Sequence, residues 1–308
     1  MNIIYYNVFD PKDHGQLFAQ LMPQARVRLW KEGDAAPADY ALVWKPPAAM
    51  LANRNDLKAV FNLGAGVDAI MKLDDQIPAH VPIIRLEDAG MGEQMADYVS
   101  HAVLGYFRNF DQYRHEAAQR KWLPKWPGKK RDFRVAVLGL GVLGNVIVER
   151  LKQLNFPVLG WSRSQKNIDG VSCFFGPDGL RQCLSQASAV VAILPLTSQT
   201  AQLLNRDTLS HMPRGAYLIN VGRGAHVVEA DLLALLQSGH LAGATLDVFQ
   251  TEPLPHSHPF WTEPNLTITP HISAQTLLDV GSEQIAAKLQ RLEQGLPVTG
   301  VIDRKKGY

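Results

Sequence analysis

Apolar residues along the chain fall into short blocks bounded by glycine, proline or charge. Between the blocks lie stretches where apolar positions recur every three or four residues. The blocks predict buried strands and the intervening stretches predict helices packed on them. The first set of strands is Ile3 to Tyr6, Val27 to Trp30, Tyr40 to Trp44, Leu57 to Leu63 and Val81 to Leu86. Pro46 and Pro47 stop the third. A long helical pattern then runs from Glu93 to Arg120, with Met95, Val99, Ala102, Val103, Tyr106 and Phe110 along one face. Lys121 to Asp132, with Trp122, Trp126, two prolines and several lysines, predicts an exposed arm or linker. A second set follows: Arg134 to Leu138, Pro157 to Trp161, Ala189 to Leu194, Ala216 to Val221, Ala244 to Leu246 and Leu266 to Ile268. A last helix is expected over Ala274 to Glu293. Strands alternating with helices predict an α/β protein of two Rossmann-like domains with doubly wound parallel sheets.

The strongest local signal is the strand at Val135 breaking into Gly139-Leu140-Gly141-Val142-Leu143-Gly144, with a helical pattern directly behind it. The first glycine permits the turn, the second admits a pyrophosphate to the backbone, and the third lets the helix pack on the sheet. The helix N-terminus, around Val142 and Leu143, then offers N–H groups to phosphate oxygens.

The 308 residues suggest two domains, and 46% hydrophobic with 19% charged residues is ordinary globular composition. A net charge of +2 argues against a nucleic-acid or membrane-surface partner. Cys173 and Cys183 form neither a C-x-x-C pair nor part of a metal cluster, which suggests free thiols in a reducing cytoplasm and no metal. Ile3-Ile4-Tyr5-Tyr6 is too short for a signal sequence, and no apolar run approaches the roughly 20 residues of a membrane span.

Four further blocks follow the glycine turn in order: Leu194-Pro195-Leu196-Thr197, Asn220-Val221-Gly222-Arg223-Gly224, Leu246-Asp247-Val248-Phe249-Gln250-Thr251-Glu252-Pro253 and Thr269-Pro270-His271. Together they resemble the D-isomer-specific 2-hydroxyacid dehydrogenase family. Ala41-Leu42-Val43-Trp44, Leu63-Gly64-Ala65-Gly66-Val67-Asp68 and Gly90-Met91-Gly92-Glu93-Gln94-Met95 are similar to its bacterial glyoxylate/hydroxypyruvate reductase group. The resemblance implies a substrate domain (1–97 and 272–308) split around an inserted dinucleotide-binding domain (98–271).

It further implies hydride transfer between a nicotinamide and C2 of a small 2-oxo acid, such as glyoxylate or hydroxypyruvate. Arg223 matches the residue that grips the substrate carboxylate, a task suited to a planar guanidinium. His271 matches the proton donor, and Glu252 the carboxylate that orients the histidine and favours its imidazolium. Leu194, Pro195, Val221 and Asp247 match positions along the cofactor, Asp247 near the carboxamide or, alternatively, capping a turn. Trp44, Ala65 and Gly66 match substrate contacts, the last two through backbone N–H groups.

NAD-specific members carry an acidic residue after the second strand. Here Ser162-Arg163-Ser164 stands there, with Lys166 nearby. NADPH is therefore expected, with NADH weaker. A homodimer built on the cofactor domain and the arm is also expected. Other readings remain: a dehydrogenase for a different 2-hydroxy acid, or a nicotinamide-sensing corepressor-like protein.

Overall fold

The computed structural model describes residues 1–9 and 13–308. The chain divides into two compact units, Met1–Met91 with Thr276–Tyr308, and Gly92–Gln275. The first unit is thus assembled from both ends of the chain, around an inserted second unit.

In the first unit the order is β1 (Asn2–Asn7), α1 (Asp13–Leu21), β2 (Arg26–Leu29), β3 (Tyr40–Trp44), α2 (Ala48–Leu51), β4 (Ala59–Asn62), α3 (Asp68–Met71) and β5 (Ile83–Arg85). All pairings are parallel, in the order β2-β1-β3-β4-β5. β3 and β4 lie mid-sheet, and all of β4 and all but Trp44 of β3 are buried. The carboxyl-terminal part of the chain closes this sheet: Arg85 N donates to Gly300 O, and Ile302 N to Ile83 O, each at 2.9 Å.

The second unit begins with α4 (Met91–Phe107) and α5 (Phe110–Ala118), where a single helix to Arg120 was expected. Asn109 between them is left-handed, with φ of 58°. Then come β6 (Val135–Leu138), α6 (Val142–Gln153), β7 (Val158–Ser162), β8 (Val171–Phe175), α7 (Gly176–Leu184) and β9 (Ala189–Ala192). The unit ends with α8 (Arg206–Ser210), β10 (Ala216–Asn220), α9 (Glu229–Gln237), β11 (Leu241–Leu246) and β12 (Leu266–Ile268). α10 (Leu278–Glu293), belonging to the first unit, starts four residues later than expected.

The second sheet is parallel throughout, in the order β12-β11-β10-β9-β6-β7-β8. Chain direction across the sheet reverses between β6 and β9, the switch point at which open α/β sheets take their ligands. β8 has no counterpart among the expected strands. β11 is longer than expected because Gly243 lies in it, where a Cβ would stand 2.8 Å from Asn265 O and from the Tyr217 ring. The Lys121–Asp132 stretch carries only a 3₁₀ turn at Lys130–Asp132, and Trp122 and Trp126 are each 94% exposed. Cys183 is buried and Cys173 partly so, both as free thiols.

Candidate functional site

The site residues expected on the second unit sit at or beyond the carboxyl ends of its parallel strands. Reading across the sheet, His271 follows β12, Asp247 follows β11, Arg223 follows β10, Leu194 and Pro195 follow β9, the glycine turn follows β6, and Ser162-Arg163-Ser164 ends β7. At about 4.8 Å per strand this row spans roughly 24 Å, with the glycine turn at the switch point.

The glycine turn is shaped by contact at two positions and by space at the third. Gly139 has φ of 114°, and a Cβ there would meet Ile193 O at 2.6 Å. A Cβ on Gly144 would lie 1.8 Å from Gly139 O, so only glycine lets α6 approach β6 this closely. Gly141, the N-cap of α6, has no protein atom within 4 Å of where its Cβ would be. No side chain caps this helix, so its first N–H groups and positive dipole end face that space. An anion fits such a cradle. At β7, Arg163 and Ser164 are exposed, and Ser162 Oγ donates to Ser164 O at 2.7 Å. No carboxylate stands in that turn.

Arg223 owes its place to its neighbours. A Cβ on Gly224 would fall 1.8 Å from the Phe249 carbonyl carbon, so the Gly222–Gly224 loop packs directly on the backbone leading to Glu252. Asn220, fully buried, donates to Arg223 O at 3.0 Å and accepts from Gly222 N at 3.1 Å. Arg223 Nη1 donates to Gly222 O at 2.7 Å.

His226, also fully buried, accepts the Arg223 N–H on Nδ1 at 3.2 Å. That leaves Nε2 to donate to Pro195 O at 3.3 Å, joining the loops after β9 and β10. Neither Asn220 nor His226 was singled out from sequence. Their partners are backbone atoms, which no residue pattern reveals.

His271 Nδ1 lies 2.8 Å from Glu252 Oε2. Glu252 Oε1 accepts the Phe249 N–H at 3.0 Å, which fixes the carboxylate. Burial raises the Glu252 pKa, but the bonds from His271 and Phe249 and the charges of His271 and Arg223 outweigh it. The carboxyl is held below its ordinary value. Arg223, Glu252 and His271 therefore form one electrostatic group.

Asp247 is fully buried. Its Oδ1 accepts from Thr269 Oγ1 at 2.6 Å and Ile272 N at 2.8 Å, and its Oδ2 from Ser273 N at 2.8 Å. Of the two sequence readings for this residue, the turn-capping one describes these bonds. Both oxygens serve the segment that carries His271.

On the first unit, buried Asn62 donates to Gly64 O at 2.8 Å and to Gly66 O at 2.9 Å, folding the turn after β4. Trp44 covers Gly64 so closely that a Cβ there would meet the indole at 2.5 Å. Ala65 and Gly66 remain partly exposed.

The family model described as the NAD-binding domain of D-isomer specific 2-hydroxyacid dehydrogenases matches residues 100–273. A glyoxylate/hydroxypyruvate reductase A of Serratia proteamaculans is 49% identical over 100% of both chains. A D-isomer specific 2-hydroxyacid dehydrogenase of Xanthobacter autotrophicus, solved with NADPH and MES, superposes with a TM-score of 0.94 at 40% identity, covering 100% of this chain and 99% of that one. An NADPH-dependent glyoxylate/hydroxypyruvate reductase of Sinorhizobium meliloti, solved with NADP and sulfate, gives a TM-score of 0.93 at 34% identity, covering 100% of this chain and 99% of that one. With the strand-end constellation described above, these matches establish that the chain belongs to the D-isomer-specific 2-hydroxyacid dehydrogenase family.

Proposed function

We propose that this protein is an NADPH-dependent reductase of small 2-oxo acids, converting glyoxylate to glycolate and hydroxypyruvate to glycerate. The observation that carries the reading is the hydrogen-bonded His271–Glu252 pair, electrostatically linked to Arg223, past the carboxyl ends of strands that also carry an open, uncapped helix N-terminus. Two of the relatives named above are called glyoxylate/hydroxypyruvate reductases, and the one from Sinorhizobium meliloti is called NADPH-dependent.

Gly139, Gly141, Val142, Leu143 and Gly144 would hold the dinucleotide pyrophosphate, and Ser162, Arg163 and Ser164 the 2′-phosphate. Leu194, Pro195, Val221 and Asp247 would line its path toward β12. The bound cofactor supplies the hydride. The chain supplies the rest. Arg223 grips the acid's carboxylate and polarises the carbonyl beside it. Glu252 accepts from Nδ1 of His271, which leaves Nε2 as the ring atom that delivers a proton to the carbonyl oxygen. Trp44, Ala65 and Gly66 are the residues of the first unit assigned to the acid.

We assign residues 1–97 and 272–308 to acid binding and 98–271 to the dinucleotide. The fully exposed arm tryptophans support a homodimer, since indoles of this size are more often covered by a partner than left in water. A cytoplasmic location suits free thiols.

The test is a panel of 2-oxo acids, each run with NADPH and with NADH. Turnover of glyoxylate and hydroxypyruvate with NADPH supports the reading. Turnover confined to another acid moves the substrate. Nicotinamide binding without turnover of any acid, together with capture of a protein partner, favours a sensor.

A further inference from the structure

His271 has φ of 56°, a left-handed conformation uncommon for a residue other than glycine, and here its surroundings hold it. The surroundings are a chain of hydrogen bonds. The His271 N–H donates to Asp247 O at 2.9 Å and to Thr269 O at 3.1 Å. The Asp247 side chain takes the next two amides, Ile272 and Ser273, and the Thr269 hydroxyl before them. Residues on both sides of His271 thus hang on one buried carboxylate.

The chain extends one step further. Tyr98 Oη lies 2.5 Å from Thr269 Oγ1. The single Thr269 hydroxyl proton is committed to Asp247, so Thr269 accepts from Tyr98 and the phenol is the donor. Burial keeps Tyr98 in that donor form, with its pKa pushed up to about 12. The order of donors is therefore fixed: Tyr98 to Thr269, Thr269 to Asp247. Tyr98 sits on α4, far from His271 in sequence, and the bond its hydroxyl makes is to Thr269.

We propose that Tyr98 is a positioning residue for the reaction, acting through Thr269 and Asp247 to hold the His271 turn in its productive conformation. This inference rests on the assignment of His271 as proton donor. It predicts that loss of the phenol hydroxyl lowers kcat while leaving ground-state binding alone, because a displaced proton donor is felt in the transition state.

The test compares Tyr98→Phe, Thr269→Val, the double variant and Thr269→Ser in the full-length protein, with kinetics beside amide hydrogen exchange of Ile272 and Ser273 in the unliganded protein. Tyr98→Phe and Thr269→Val should each lower kcat about tenfold, with KM for the oxo acid and the dissociation constant for NADPH within about twofold of the parent. The double variant should be no worse than Thr269→Val, and Thr269→Ser should keep near-parental kcat. Exchange at both amides should quicken in Tyr98→Phe. Parental kcat and unchanged exchange in Tyr98→Phe would overturn the proposal. So would equal losses in kcat and binding, or additive losses in the double variant. If the parent reduces no 2-oxo acid, the proposed activity fails instead, and amide exchange still decides whether Tyr98 holds the turn.

Discussion

His271 and Glu252 meet at 2.8 Å through Nδ1 and Oε2. A general acid of this kind contributes roughly a hundred- to ten-thousandfold to turnover. His271→Ala should lower kcat by that order with NADPH affinity nearly intact, measured by steady-state kinetics and cofactor fluorescence titration. Glu252→Gln removes the anion that favours imidazolium. The ring loses its charged partner on Nδ1, so kcat should fall in Glu252→Gln while NADPH affinity stays near the parental value. A parental kcat in Glu252→Gln would show that the pair has no part in proton delivery.

Gly141 and Gly144 belong to one turn yet should fail differently when replaced by alanine. At Gly144 the new methyl would collide with Gly139 O, and α6 must move off the sheet, at a cost of about 1–3 kcal/mol. At Gly141 the methyl meets no protein atom, so thermal stability should hold while NADPH affinity falls. Melting curves with and without cofactor separate the two. Intact NADPH affinity in Gly141→Ala would remove this turn from the binding site.

Arg163, exposed at the end of β7, is the residue assigned to the 2′-phosphate. A charge-assisted hydrogen bond contributes roughly 1.5–3 kcal/mol, or about ten- to a hundredfold in affinity. Arg163→Ala should raise KM for NADPH by that factor and barely alter KM for NADH. Ser162→Asp should go further, because a carboxylate repels the phosphate and can accept from a ribose hydroxyl. Equal weakening of both cofactors in Arg163→Ala would place the phosphate reader elsewhere.

Loss of stability at acid pH has a local source in the first unit. The side-chain bond from Arg54 holds the Asp56 carboxyl down at about 2. A depressed carboxyl contributes stability above its ordinary value near 4 and loses it as pH falls toward 2. Asp56→Asn should cost about 1–2 kcal/mol at pH 7, discounted for partial exposure. The gap to the parent in denaturant midpoints should close between about pH 4 and pH 2.

Trp122→Ser with Trp126→Ser tests the homodimer. The parent should scatter light as a dimer at micromolar concentration and the double variant as a smaller species. A monomeric parent would leave the indoles without the partner assigned to them.

The row of strand ends was legible because central parallel strands, such as Val135–Leu138 and Ala189–Ala192, are buried throughout and so read as unbroken apolar blocks. Val171–Phe175 escaped because it forms the sheet's edge, with no fully buried residue in it. The break at Asn109 escaped because neither glycine nor proline marks it. Arg223, Glu252 and His271 were visible through the blocks that carry them. The groups that hold them in place were not. Asn220 and His226 each bond two backbone atoms and Tyr98 bonds a distant hydroxyl, and such bonds have no periodicity to read.

The division of the first unit between the two ends of the chain dictates an order of events during synthesis. Residues Met1–Met91 leave the ribosome before the second unit, yet the edge of β5 away from β4 gains its backbone partners only when Gly300 and Ile302 arrive. Lys58 and Glu87 wait likewise for Glu293 and Lys288 on α10. The second unit is continuous and can complete its sheet while these partners are still unmade. The earlier-made part of the first unit therefore completes its native contacts only when the last-made part arrives.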